Sequence, residues 1–214
     1  MSGFTGFNPS DVSNSIKGVT RAYEDFCGAI IGSMQSKFVN GMSQAWACNQ
    51  AQTFFNQSFK PAVDSLSSGA TTIFESVVNS MNSAATSWAS TTGSDWSNIS
   101  FSPVNQKVDV SGILENINGV RGIDLETANS VTTSLATIKV AAETALTAAQ
   151  NAVNNCGFVG KSQAETLIAS LGTIKNRINQ ATTELTAATK EAINNTVSTY
   201  GDLGGQVAEA FNAQ

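Results

Sequence analysis

The sequence contains no histidine, and this absence removes several kinds of chemistry. Histidine is the usual general base near neutral pH, the most common metal ligand and the central member of a Ser-His-Asp relay. Without it, most hydrolase mechanisms and the usual metal sites are disfavoured. We therefore expect a protein that is not an enzyme and that uses no cofactor or metal.

Cysteine is also scarce, because the chain has only Cys27, Cys48 and Cys156. Zinc and redox motifs need closely spaced cysteines, and a disulfide framework needs an even number that can pair. The three residues are odd in number and far apart. The pattern therefore predicts three small, buried hydrophobic side chains on or beside helices.

Charged residues make up only 13% of the chain, and the 11 basic residues are scattered rather than clustered. A nucleic-acid-binding protein needs a basic patch, so the net charge of -5 argues against that class. The chain has no run of about 18 apolar residues that could span a membrane. Residues 1–10 lack the basic start and apolar stretch of a cleavable signal peptide. We expect a soluble protein without stable membrane insertion.

Four segments repeat apolar residues at intervals of three and four, the spacing of one helix face. We predict helices over about 10–40, 47–89, 125–152 and 164–192, with a kink or break near Phe59 caused by Pro61. The first two stripes are Val12, Ile16, Val19, Tyr23, Phe26, Ile30, Met34 and Phe38, then Phe55, Phe59, Val63, Leu66, Ala70, Ile73, Val77, Met81, Ala84 and Trp88. The last two are Leu125, Ala128, Val131, Leu135, Ile138, Ala142, Ala145, Ala149 and Ala152, then Ala164, Leu167, Leu171, Ile174, Ile178, Ala181, Leu185, Ala188 and Ala192.

The order helix, turn, helix occurs twice, in residues 1–90 and 124–214, and residues 91–123 form a connector with one short predicted helix at 111–118. The turns are expected at 40–47 and 154–162. Glycines at 201, 204 and 205 predict a further turn before a last short helix. Each hairpin alone is too thin to bury its stripe. The predicted fold class is therefore all-α, with two long helical hairpins packed as one antiparallel four-helix bundle.

The first turn reads Gly41-Met42-Ser43-Gln44-Ala45-Trp46-Ala47-Cys48, and Phe54 follows Trp46 by eight residues. A tryptophan turn between long helices, with an aromatic residue two turns later, resembles the WXG-motif secreted proteins of type VII (Esx) secretion systems in Gram-positive bacteria. The resemblance implies that this chain fuses two such hairpins into an intramolecular pseudo-dimer.

The sequence departs from the family pattern in both halves. The family has a glycine two residues after the tryptophan, where the backbone turns sharply, and Cys48 stands there in this chain. The second half keeps the glycine as Gly160 but has Phe158 in place of tryptophan. The family's Tyr-x-x-x-Asp/Glu export signal is missing, because Tyr200 is followed four residues later by Gly204.

The resemblance implies a secreted or cell-surface protein that is cytoplasmic before export and lacks a cleavable signal peptide. It also implies action through protein binding. The candidate partners are the type VII export machinery, another secreted helical protein and, in a homo-oligomer, further copies of this chain. The turn motifs and expected interaction residues are Trp46, Cys48, Phe54, Phe158 and Gly160.

Three alternatives remain open. Trp46 could simply be a core residue that closes the hairpin. Weakly charged helices rich in small polar residues also suit a structural subunit of a surface filament, a flagellum-like assembly or a phage particle. A membrane-active helical toxin is the third alternative. Among the acids, Asp124 and Glu126 are predicted to favour a helix N-terminus rather than to form a catalytic pair.

Overall fold

The computed structural model describes residues 8–156 and 161–212, and these are mostly helical, with only short strands. Within these ranges, no helix is long and apolar enough to cross a membrane. Helix α1 (Pro9–Cys27) is followed by a π-helical segment (Gly28–Val39), α2 (Asn40–Ala45), strand β1 (Trp46–Ala47), α3 (Asn49–Phe54), a second π-helical segment (Phe55–Phe59) and α4 (Lys60–Thr92). Strand β2 (Gly122–Ile123) precedes α5 (Leu125–Asn154) and α6 (Lys161–Asn212).

The described residues divide into two compact units. Unit 1 comprises the described residues 8–30, 65–106, 139–156 and 161–179. Unit 2 comprises the described residues 31–64, 107–138 and 180–212. Each unit thus takes segments from both halves of the sequence and from the connector. The packing of residues 1–90 and 124–214 as two hairpins in one bundle stays a prediction.

Unit 1 has an aromatic centre around Tyr23 of α1. The Tyr23 ring lies 5.3 Å from Phe74 of α4 and 4.8 Å from Phe101 of the connector, measured between ring centroids. Its hydroxyl is 3.0 Å from the Thr71 hydroxyl and accepts a 2.9 Å hydrogen bond from the Val104 amide. Burial raises the pKa of Tyr23. Phe101 therefore packs the first part of the connector against α1 within unit 1.

The stripe predicted for the second helix is wrong by one residue along part of α4. Phe74, Ala85 and Ala89 are buried, whereas the predicted Ile73, Ala84 and Trp88 are only half-buried. A centroid distance of 5.9 Å between Phe26 and Phe74 places Phe74 within the aromatic centre. The larger ring therefore takes the inward position instead of Ile73.

The first π-helical segment follows from an unusual spacing of core residues. Ile30, Met34, Phe38 and Met42 follow one another at intervals of four, and all are buried. In an α-helix, each step of four residues overshoots a full turn by about 40°, so three steps would rotate the stripe by roughly 120°. The wider i→i+5 turn of a π-helix reduces this drift. The local widening therefore keeps these residues facing inward.

The first helical run does not end near residue 40, where the sequence predicted its end. The helical backbone continues through Gly41 to Ala45. A Cβ atom added at Gly41 would lie 2.7 Å from a methyl carbon of Val131 on α5. Real Cβ atoms essentially never approach so closely. Glycine at this position therefore allows close approach of two helices in unit 2.

Pro61 does not break the second helix. The Lys60 amide donates to the carbonyl of Phe55, five residues earlier, and Pro61 comes next in the same helical run. A proline has no amide hydrogen and its ring crowds the preceding turn. The π-helical turn at Phe55–Phe59 widens the backbone immediately before the proline, which explains how the helix continues.

The end of α6 differs from the prediction in its core residues and its length. Thr182, Thr189 and Thr196 are buried at intervals of seven, whereas the predicted Ala188 and Ala192 are half-buried. The Thr189 hydroxyl donates to the carbonyl four residues earlier, at 2.6 Å, and so leaves its methyl group free to pack. The helix also continues through the predicted glycine turn to Asn212. A glycine inside a helix costs only about 1 kcal/mol relative to alanine.

Residues 111–118 do not form the predicted short helix. Instead, Ile117 and Val120 exchange two backbone hydrogen bonds of 2.9 Å across Asn118 and Gly119. Both central residues have positive φ angles, 52° at Asn118 and 82° at Gly119. Asn-Gly is the preferred pair for such a type I′ turn, so the local sequence favours a hairpin over a helix.

Candidate interaction site at the first helix junction

The junction between the first two helical runs is an extended link of three residues. Trp46 has φ -143° and ψ 110°, and Cys48 has φ -172° and ψ 173°, before α3 begins at Asn49. The chain therefore changes direction at residues 46–48, at the end of the predicted turn at 40–47. This shift follows from the continuation of the helix through Gly41.

The end of the connector holds this link in place. Trp46 pairs with Ile123 and Ala47 pairs with Gly122 in an antiparallel two-stranded sheet. The Asp124 amide then donates a 2.7 Å hydrogen bond to the carbonyl of Ala45. The link thus exchanges its helical hydrogen bonds for bonds to the connector.

The backbone conformation at Cys48 does not require a glycine. Its extended backbone is one that any residue adopts, so the junction forms without the family's glycine. The Cys48 side chain is fully buried, and the side chains of Cys27 and Cys156 are also buried. The prediction that the cysteines act as small buried side chains is confirmed by their positions.

Trp46 and Phe54 lie together in the interior of unit 2. Trp46 has 0% exposure, and its ring stacks on Phe54 with centroids 5.8 Å apart. Phe55 meets Trp46 edge-on at 6.2 Å, and Phe38 stacks on Phe59 at 5.0 Å. The helical segments on the two sides of the junction therefore run antiparallel within unit 2. The aromatic residue eight positions after the tryptophan closes the junction.

The indole nitrogen of Trp46 lies buried with no hydrogen-bond partner among the described residues. A buried donor without a partner costs about 1–3 kcal/mol. Its position shows that Trp46 is a core residue of unit 2, and any partner would contact the surface around it. Its role in interaction stays a prediction. Phe158 and Gly160, the matching residues of the second half, lie outside the described residues.

Asp124 begins α5 as a capping residue. Its carboxylate accepts a 2.6 Å hydrogen bond from the Thr127 hydroxyl and a 3.1 Å bond from the Thr127 amide. These bonds lower the pKa of Asp124, with the hydroxyl bond as the largest cause. The carboxylate thus caps the helix, as the sequence predicted.

A groove of about 390 Å³ lies beside the junction in unit 2. One wall comes from α3 and the second π-helical segment, and the other comes from α6. The apolar residues that line it are Phe54, Ala188 and Ala192. The remaining lining residues are Asn49, Gln50, Thr53, Ser58, Glu191 and Asn195. The groove therefore combines an apolar floor, amide groups and one carboxylate.

Sequence reasoning missed the strand pairing at Gly122–Ile123 and the groove itself. For the strand pairing, the available signal was the Asn118-Gly119 pair, because this pair indicates a tight turn just before β2. The groove had no comparable local signal, since its walls lie more than 120 residues apart in the chain.

No group of three or more His, Cys, Asp or Glu side chains within residues 8–156 and 161–212 is arranged to hold a metal ion. The site described by the structure is thus a buried aromatic junction beside an open groove that has an apolar floor and polar side chains around it. No protein-family model, no curated protein and no solved structure matches this chain.

Proposed function

We propose that this chain is a secreted, non-enzymatic helical protein that resembles the WXG-family substrates of type VII secretion. In this proposal, its two hairpins pack as an antiparallel four-helix bundle and form an intramolecular pseudo-dimer. It is cytoplasmic before export and secreted or surface-bound afterwards. Its work is to bind proteins, namely the export machinery and another secreted helical protein.

The observation that carries this proposal is the junction at Trp46. Two long helical runs reverse there through an extended link, and the Trp46 ring stacks on Phe54, the aromatic residue eight positions later. The extended backbone of Cys48 explains how this geometry tolerates loss of the glycine. The groove beside Phe54 supplies a surface for a partner.

Secretion of Trp46→Phe from a Gram-positive host with a type VII system tests the proposal. This change keeps a buried aromatic ring but alters the junction. We expect the secreted fraction to fall while circular dichroism retains its helical signal. Phe74→Leu, which lowers stability in unit 1 and leaves the junction intact, is the control. Equal secretion of the two variants at equal melting temperature would contradict the proposal.

A structural subunit is the second candidate, and exposed apolar side chains favour it. Val120 is 69% exposed, Val140 is 61% exposed and Leu114 is 50% exposed. Such side chains could contact neighbouring copies in a polymer. Size-exclusion chromatography with light scattering over a range of concentrations separates the two candidates. Growing polymers support a subunit, and a constant monomer or dimer supports the binding protein.

A further inference from the structure

We propose that the groove formed by α3, the second π-helical segment and α6 binds an arginine side chain presented by a partner protein. This inference rests on the proposed binding function and names the chemistry that the partner presents. The argument uses the charge of the groove, its hydrogen-bond acceptors and its apolar floor.

The charge of the groove selects a cation. Glu191 is the one ionisable residue among the described lining residues, and none of them is basic. Glu191 makes no ion pair with any residue that the structure describes. A phosphate or carboxylate would face this charge without compensation, whereas a cation would be attracted to it. The net charge of the whole chain, -5, also favours a positively charged partner.

The acceptors of the groove favour guanidinium over ammonium. Asn49, Gln50 and Asn195 line the same groove as Glu191, and the side-chain amide of each has a carbonyl oxygen. Guanidinium presents five N–H donors in a planar fork, so one group can use the carboxylate and neighbouring amides together. An ammonium is a compact point charge with three donors. Arginine therefore matches more of the lining than lysine does.

The floor of the groove suits the hydrocarbon stem of arginine. Ala188 and Ala192 lie one helical turn apart on α6 and are half-buried, so their methyl groups form a shallow apolar strip opposite Phe54. Arginine covers such surfaces with its methylenes while its charged end stays in a polar rim. A volume of about 390 Å³ is at the small end of ligand pockets, which suits one long side chain.

Binding in the groove can be read at the junction, because Phe54 lines the groove and stacks on Trp46 at 5.8 Å. Because the two rings are stacked, the ring current of Phe54 acts on the protons of the Trp46 indole, and the resonance of its buried N–H should shift when the Phe54 ring moves. This signal reports on the groove separately from the exposed acidic residues elsewhere.

The test is an NMR titration of the full-length protein with N-acetyl-arginine amide. N-acetyl-lysine amide and N-acetyl-citrulline amide serve as probes that change the donor geometry or remove the charge. We expect shifts at Trp46 and in the backbone amides of 49–58 and 188–195, with arginine binding tightest and citrulline weakest. Glu191→Gln should weaken arginine binding about fivefold, which corresponds to the free energy that an exposed charge pair contributes.

Glu184→Gln is the matched control, because Glu184 lies seven residues earlier on α6 and outside the groove. It should leave arginine binding unchanged. Equal binding of arginine and citrulline, equal effects of the two glutamate variants or no shift at the groove would each overturn the inference. Its failure is distinguishable from failure of the proposed function, since secretion of Trp46→Phe is measured without any arginine probe.

Discussion

The most direct test of the packing is Asn82→Ala, because one buried amide holds the connector on α4. Asn82 is only 5% exposed. Its nitrogen donates to the carbonyl of Ile99 and its oxygen accepts from the amide of Ile99, both at 2.9 Å. The pair of bonds imitates one rung of a β-sheet and fixes Ile99 against the helix.

Alanine at position 82 removes both bonds and leaves the backbone groups of Ile99 without their partner. Loss of two hydrogen bonds should lower the free energy of unfolding by about 2 kcal/mol. Ile99 is half-buried, so water can replace only part of the lost hydrogen bonding. For a chain of this size, we expect the melting temperature to fall by about 4–8 °C. The amide of Ile99 should also lose protection from hydrogen exchange.

Thermal unfolding followed by circular dichroism and hydrogen exchange followed by NMR measure the two effects. Asn79→Ala is the control, since Asn79 is exposed on the same helix one turn earlier. The reasoning is refuted if the two variants melt together and the Ile99 amide exchanges at the same rate in both.

Two further predictions concern unit 2. Gly41→Ala should destabilise the protein by about 1–3 kcal/mol through overpacking, and Val131→Ala in the same chain should recover part of this loss, as double-mutant denaturation can show. The lowered pKa of Asp124 means that its stabilising contribution is present above its unfolded pKa and is lost as pH falls through the folded pKa. In Asp124→Asn, the free energy of unfolding should therefore fall less steeply as pH is lowered. Urea titrations at several acidic pH values measure this, and the same pH dependence in both proteins would exclude this role of Asp124.

The helical content and much of the core could be predicted from apolar spacing. The stripe from Val12 to Phe38 is buried at every predicted position, because large apolar side chains leave no competing face. Alanine-rich stripes were less informative. At Ala84 and Ala85 the side chains are chemically identical, so the sequence does not indicate that Ala85 is the buried one.

Three features had no signal in the helix pattern. The buried threonines of α6 look polar in a sequence, and they become core residues only when each hydroxyl bonds to its own helix, as at Thr189. The strand pairing of Trp46 with Ile123 depends on residues far apart in the chain. The groove beside Glu191 depends on packing of two distant helices and so required the structure.

The attachment of the connector limits how far its length can change. Within unit 1, Asn82 holds Ile99 and Tyr23 holds Val104, and within unit 2, Gln35 accepts from the Asp109 amide. Gln52 donates to the Ile113 carbonyl in the same unit. Surface loops usually accept added residues at little cost. One residue inserted between 99 and 104 would move every later backbone group past its side-chain partner, so this segment should resist insertions as a β-strand does.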